Sequence, residues 1–347
     1  MKQSIVCLVV LIFIYSCQSP SSKSPDVDPQ LRDSILTHLG KFDNNSSKEI
    51  SLKKTFQFVQ QIKNDSLQIK YLVALDFRAL NSNSKLFYKI NKLAREKANK
   101  YKDTTRLAKF YWNLGDSYLN ENKTDFAYYA FNEAGFLYNL KKDLGNYAQM
   151  LYNLAIIQGQ AKDFTGTEVN LIKVAEISKK IRNFDLLYKA FNVLGVTNYN
   201  LRNFDVALKY LNNALQALGK VDDPDLYRAA TFNNIGNVYE KQKNFELAIK
   251  NYRKTLSTKN LYERDPYLYA MALDNLAFNR LESGETQNVL PEMENALEIR
   301  QNIKHLAGIS ISQIHISEYY RFTGNTTKAV EFASSANCTA FVVFPIN

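Results

Sequence analysis

The sequence predicts an all-α solenoid, a row of antiparallel helix pairs, and three observations carry that prediction. The first is spacing: between Ala229 and Thr255, Phe232, Ile235 and Tyr239 fall on one face of a helix, and Phe245, Ala248 and Tyr252 on one face of a second. The second is size. Gly236 and Ala248 carry almost no side chain where the two helices would cross, so the backbones can approach while the flanking rings fill the space. The third is recurrence: Gly115, Ala155, Gly195, Gly236, Ala277 and Ser317 repeat the small position at steps of 40 or 41 residues. A period in that range, combined with helical patterning, means stacked units that each pack on their neighbours and grow as one body.

Those residues resemble the tetratricopeptide signature of an aromatic, Leu-Gly, Tyr, then Ala, an aromatic and Ala. Tyr111, Leu114, Gly115, Tyr118, Ala127, Phe131 and Ala134 follow it in one unit, and Phe191, Leu194, Gly195, Phe204, Ala207, Leu211 and Ala214 in another. The stretch from Ala229 to Thr255 follows it too, and Ala329 with Ala336 marks the last unit. The match weakens at Thr167 and Val289, where the signature has Ala. The resemblance covers roughly Gln68 to Ala336 and implies a right-handed α-solenoid of antiparallel helix pairs, with units near 68, 108, 148, 188, 229, 270 and 310. A unit of that length is longer than the usual repeat of about 34 residues. The resemblance also implies a binding scaffold, and it says little about what is bound.

Taken in order, residues 1–16 read as an export signal, since Lys2 precedes an apolar run from Ile5 to Ile14. That run is shorter than the roughly 20 residues a membrane-spanning helix requires. Ile14, Ser16 and Cys17 resemble the lipobox of bacterial lipoproteins, which implies a lipid on Cys17 as the new amino terminus. Tyr15 is bulkier than that pattern usually holds, and an ordinary signal peptide with a chance cysteine is the alternative reading. Residues 17–27, with Ser19-Pro20-Ser21-Ser22 and Pro25, are too polar and proline-rich to pack and read as a tether. In such lipoproteins an Asp after the cysteine favours the inner membrane; Gln18 stands there instead, so the expected location is the outer membrane, facing the periplasm. Of three cysteines, Cys7 falls in the signal, Cys17 would be acylated and Cys338 is left alone, so no disulfide framework can form.

Residues 28–67 read as capping helices, through Leu31, Ile35, Leu36 and Leu39 and then Ile50, Leu52, Phe56, Val59 and Ile62. A divergent unit follows, in phase through Tyr71, Ala74 and Ala94. Asp163, Asn203, Asn244 and Asn325 stand where second helices should begin, and Asp223-Pro224 and Asp265-Pro266 read as an N-cap followed by the first helical residue. Those two prolines fall within the steps of 41, which places the extra residue in their linkers. The pattern breaks after Ala336, so residues 337–347 are expected to form an irregular apolar tail. That tail either folds back on the last groove or marks a chain that continues.

Little in the chain points to catalysis. His38, His305 and His315 lack the spacing of three or four that places metal ligands on one helical face, and no phosphate loop, nucleophile elbow or zinc-protease motif occurs. The expectation is therefore no enzyme, no cofactor and no metal. The net charge of +10 is spread over every unit and gathers into no patch, which favours a solvated surface over nucleic-acid binding. What remains is the face lined by the first helix of each unit. Just before the Leu-Gly pair stand Asn113, Asn153, Asn234 and Asn275, with Asn192 one place off in the middle unit. An amide side chain both donates and accepts, so such a row can hold the backbone of an extended peptide; equally, each Asn can bond its own helix. This resembles the asparagine ladder of peptide-binding superhelical repeats.

Lys109, Trp112, Asp116, Tyr152, Lys189 and Tyr199 neighbour that row, as do Asn233, Asn237, Lys241, Asp274 and Glu318. Trp112 is the single tryptophan, either a binding anchor or a core ring. Two functions fit: an envelope-tethered scaffold for a protein or peptide partner, or the sensor ectodomain of a signalling regulator whose kinase or DNA-binding output lies outside this chain.

Overall fold

The structure is a computed structural model that describes residues 45–80 and 84–343. The predicted signal, Cys17, the tether and the first capping helix lie outside the described residues. Among these there are sixteen α-helices and no strand. The chain forms two compact units, one ending at Ala130 and the other starting at Phe131.

The first unit contains α1 (Asn45–Gln60), α2 (Asp65–Ala79), α3 (Ser84–Lys100), α4 (Thr104–Asn120) and the start of α5 (Thr124–Leu140). Leu52, Phe56 and Val59 of α1 close over Ile69, Leu72 and Leu75 of α2, and Phe87, Ile90, Phe110 and Leu114 extend the same core. Ile50, expected on the buried face of α1, is exposed. Leu52 takes the buried position one turn before Phe56, and Ile50 falls outside that stripe.

The second unit continues with α6 (Leu144–Gln160), α7 (Phe164–Ile181), α8 (Phe184–Asn200), α9 (Phe204–Ala217), α10 (Asp225–Lys241) and α11 (Phe245–Leu256). A four-residue helix, α12 (Leu261–Arg264), precedes α13 (Pro266–Glu282), α14 (Val289–Asn302), α15 (Leu306–Phe322) and α16 (Thr326–Val343). Successive first helices touch one another, α6 with α8, α8 with α10, α10 with α13 and α13 with α15, so they lie side by side on one face. The first helices begin at Thr104, Leu144, Phe184, Asp225, Pro266 and Leu306, about one turn earlier than the repeat phase suggests.

One turn design repeats along both units. Lys102, Asn122, Lys142, Lys162, Arg182 and Arg202 recur at intervals of 20 residues with φ between 54° and 62°. The next residue's N–H returns to the helix just finished, as in Asp143 to the Tyr138 carbonyl and Asp163 to Gln158. That next residue then caps the following helix. Asp103, Asp143, Asp163 and Asn183 each accept from a backbone N–H three residues on, and His305 does the same for α15 with its Nδ1. Asn244, Asn325 and Asp265 cap as expected. Asn203 occupies a cap position without a cap bond, and Asp223 is not a cap at all. It turns the chain at φ 46° and pairs with Arg264, leaving Pro224 at the N-cap. The extra residue in each long step sits in these linkers, one holding a 3-10 turn at Leu218–Lys220 and the other α12.

Small residues set the helix crossings. A Cβ on Gly236 would stand 2.5 Å from the Tyr252 ring, and one on Gly195 would stand 2.6 Å from Leu211 Cγ. Departures from the signature are accommodated by hydroxyls that satisfy carbonyls on the facing helix. Thr167 donates to Ala155 O at 3.3 Å, and Ser317, in the glycine position, donates to Ala329 O at 2.7 Å. The expected break after Ala336 does not occur, for α16 continues to Val343. Ser310 and Gln313 of α15 bond Ala336 O and Ser335 Oγ, which holds that stretch of α16 against its partner.

Candidate functional site

The sequence row of asparagines falls into three structural situations. In the first unit Asn113 is buried, and its amide is spent on Asp76 Oδ2 at 2.7 Å. Asn91 holds the other oxygen of Asp76 at 2.8 Å, so α2, α3 and α4 are joined through one carboxylate. Burial pushes Asp76 up to about 7, against the two amides that favour the ionised form. Asn113 is therefore a core residue and is removed from the peptide-facing set. Nearby, Lys109 Nζ lies 4.2 Å from the Trp112 ring centre, and Trp112 bonds Asp116, whose carboxyl burial raises to about 6. These three half-buried side chains form a tight local cluster on α4.

In the second unit Asn192, Asn234 and Asn275 bond laterally to neighbouring first helices. Asn234 Nδ2 donates to Asn192 Oδ1 at 3.2 Å, joining α10 to α8. Asn275 Nδ2 donates to Asn237 Oδ1 at 3.1 Å, joining α13 to α10, and Tyr252 OH donates to that same oxygen at 2.9 Å. Further along, Asn279 Nδ2 donates to Glu240 Oε2 at 2.8 Å. Asn153 on α6 accepts from Gln149 of its own helix at 2.9 Å, which is the self-bonding alternative. Asn153, Asn192, Asn234, Asn237 and Asn275 are all half-buried. An amide offers two donor hydrogens and an acceptor with two lone pairs. The inter-helix bonds thus leave capacity on Asn192 Nδ2, Asn234 Oδ1 and Asn275 Oδ1, and their orientation is fixed from behind.

Other expected members are placed differently. Lys189 pairs with Asp185 of its own helix at 2.7 Å, and Lys241 stands 3.8 Å from Glu240. Asn233 and Asp274 are fully buried and line no groove. Asp274 accepts from Arg300 Nη1 at 2.6 Å and from Ser312 Oγ at 3.2 Å, with His315 Nδ1 3.1 Å from the same oxygen. Burial pushes that carboxyl up, but His315 and Arg300 outweigh it and hold it below the usual carboxylate range.

His315 was missed. It stands two residues before Ser317, the phase that Asn113, Asn153, Asn234 and Asn275 occupy before their own small residues, and Val193 holds it in the middle unit. Its ring stacks on Phe278 at 4.1 Å. Its place two residues before the small Ser317 is the signal that finds it in the sequence.

The helix pairs and their first-helix face define a tetratricopeptide-like array. Residues 186–260 match the tetratricopeptide repeat family. No curated protein matches the chain in sequence. Among solved structures, the apo form of RapI is similar at a TM-score of 0.63 and 16% identity, over 79% of this chain and 98% of that one. A Rap protein complexed with competence and sporulation factor is similar at a TM-score of 0.58 and 11% identity, over 90% and 88%. NprR in complex with its cognate peptide NprX is similar at a TM-score of 0.53 and 11% identity, over 90% and 90%. At these identities the likeness is one of fold.

Proposed function

We propose that this chain is a non-catalytic scaffold that binds an extended peptide along the first-helix face of its second unit, in the long-repeat variety of tetratricopeptide array. The observation that carries the reading is the pair of asparagine rungs from α8 through α10 to α13, oriented by inter-helix bonds and keeping unspent polar atoms. Such a row meets the alternating N–H and C=O groups of a backbone without selecting side chains strongly. Two of the similar structures are described as complexes with a factor or a cognate peptide, which supports the same use of the fold here. The test is selection from a random peptide library on the purified chain. Replacing Asn192 and Asn275 together with Ala should weaken capture of a selected peptide at least tenfold with helicity unchanged; undiminished capture refutes the role of the row.

The scaffold is held at the cell envelope by a lipid on Cys17, facing the periplasm, and meets no nucleic acid. The lipobox-like Ile14-Tyr15-Ser16-Cys17 and the polar stretch after it support this. Cys17→Ser should release the protein from the membrane fraction, and continued sedimentation with membranes would contradict it. A sensory role uses the same face: one similar protein carries a tetratricopeptide repeat sensor, at a TM-score of 0.58 and 16% identity.

A further inference from the structure

On the solvent side of α11, away from the asparagine row on the first helices, lies an open cleft of about 700 Å³. Lys250, Arg253 and Lys254 line it, with Ile249 beside them and Ser283, just past the end of α13, on the other wall. The positions i, i+3 and i+4 place the three cations on one helical face. Among the described residues the Lys250 and Arg253 side chains make no hydrogen bond or ion pair, and Lys254 rests over the Phe232 ring at 4.7 Å. The acids that face the cleft do not neutralise it. Glu285, which feels Arg253, is held by Arg280 at 2.6 Å, and Glu246 is a single acid against three cations, about one turn before Lys250.

We propose that this cleft docks an acidic peptide segment of a partner protein. About one helical turn separates Lys250 from Arg253 or Lys254, a rise of about 4.5 to 6 Å. Alternate side chains of an extended strand stand about 6.6 Å apart, so carboxylates two residues apart can reach both cations. The Arg253 guanidinium offers a planar fork that fits a carboxylate with two parallel bonds. Ile249 supplies an apolar surface for the aliphatic part of the bound chain. A cleft between α11 and Ser283, with Glu246 beside its cations, suits a short strand better than a flat anionic membrane.

The probe is hexaglutamate, titrated into the full chain by calorimetry at 50 and 150 mM salt, with phosphatidylglycerol vesicles in parallel. Hexaglutamate should bind, more weakly at the higher salt. The double variant Lys250→Gln with Arg253→Gln should lose at least tenfold in affinity, while Lys179→Gln with Lys180→Gln, the same charge change on α7, should not. All four positions are exposed, and unchanged helicity certifies folding. Absence of binding, equal loss in both double variants, or dependence on Lys250 and Arg253 only with vesicles would each overturn the proposal. None of these outcomes depends on the asparagine row, which stays intact.

Discussion

The crossing of α10 and α11 gives a sharp prediction about sign. Gly236→Ala adds one methyl group, and in an ordinary helix interior that exchange is favourable by about 1 kcal/mol. Here the added carbon would lie 2.5 Å from Tyr252 Cε1 and 2.8 Å from Cδ1, closer than real contacts allow. The ring cannot simply swing aside, because it is fully buried and its single hydroxyl proton is shared between Asn237 Oδ1 and Glu240 Oε2, each 2.9 Å away. Overpacking of this kind costs about 1 to 3 kcal/mol, and loosening the hydroxyl's shared hydrogen bond costs roughly 1 kcal/mol more. The net prediction is a loss of about 1 to 3 kcal/mol. Gly159 provides the opposite case: its added carbon would meet Thr167 Oγ1 at 3.6 Å, an ordinary contact, so Gly159→Ala should stabilise by up to about 1 kcal/mol. Urea titration of the full chain followed by ellipticity reads both changes. If the two variants shift in the same direction, the crossing is not set by glycine as described.

Three further outcomes follow from buried groups and caps. Asp76 has its folded-state pKa raised to about 7 by burial, above the unfolded value of about 4, so its contribution to stability is present at low pH and is lost as pH rises from about 4 through 7. The wild type should therefore gain stability over Asp76→Asn when melting is measured at pH 5.5 rather than 8; a pH-independent gap would contradict this. Arg300→Leu leaves the Asp274 carboxylate buried without its guanidinium and should cost roughly 3 to 5 kcal/mol, much of it recovered in the double variant with Asp274→Leu, as denaturation would show. Asn183→Ala removes a cap bond of 3.1 Å to Leu186 N and should cost about 1 kcal/mol. Asn203→Ala, at a cap position with no such bond, should cost clearly less in the same assay.

The repeat was readable because it depends on size and spacing, which a sequence displays directly. Ala248, Tyr252, Ala207 and Leu211 are buried where their phase places them. The turns were half readable. Asn244 and Asp265 announce helix starts by type, whereas Lys142 or Arg202 gives no sign of its left-handed backbone, a conformation usually given to Gly or Asn. The site was harder because an asparagine looks the same whether buried or presented. Asn113 and Asn234 share one phase, yet the first is buried against Asp76 of a preceding helix and the second is half-buried and bonds Asn192. Asp274 likewise sat at a groove position by spacing, and only its distance to Arg300 on another helix shows it to be core.

The most direct test of the account is nitrogen-proton spectroscopy of the asparagine side-chain amides during titration with a library-selected peptide. The signals of Asn192, Asn234 and Asn275 should move with the titration, while those of Asn113 and Asn251, bonded within the fold, should hold still. Saturable binding that leaves the first three unmoved would contradict the proposed face.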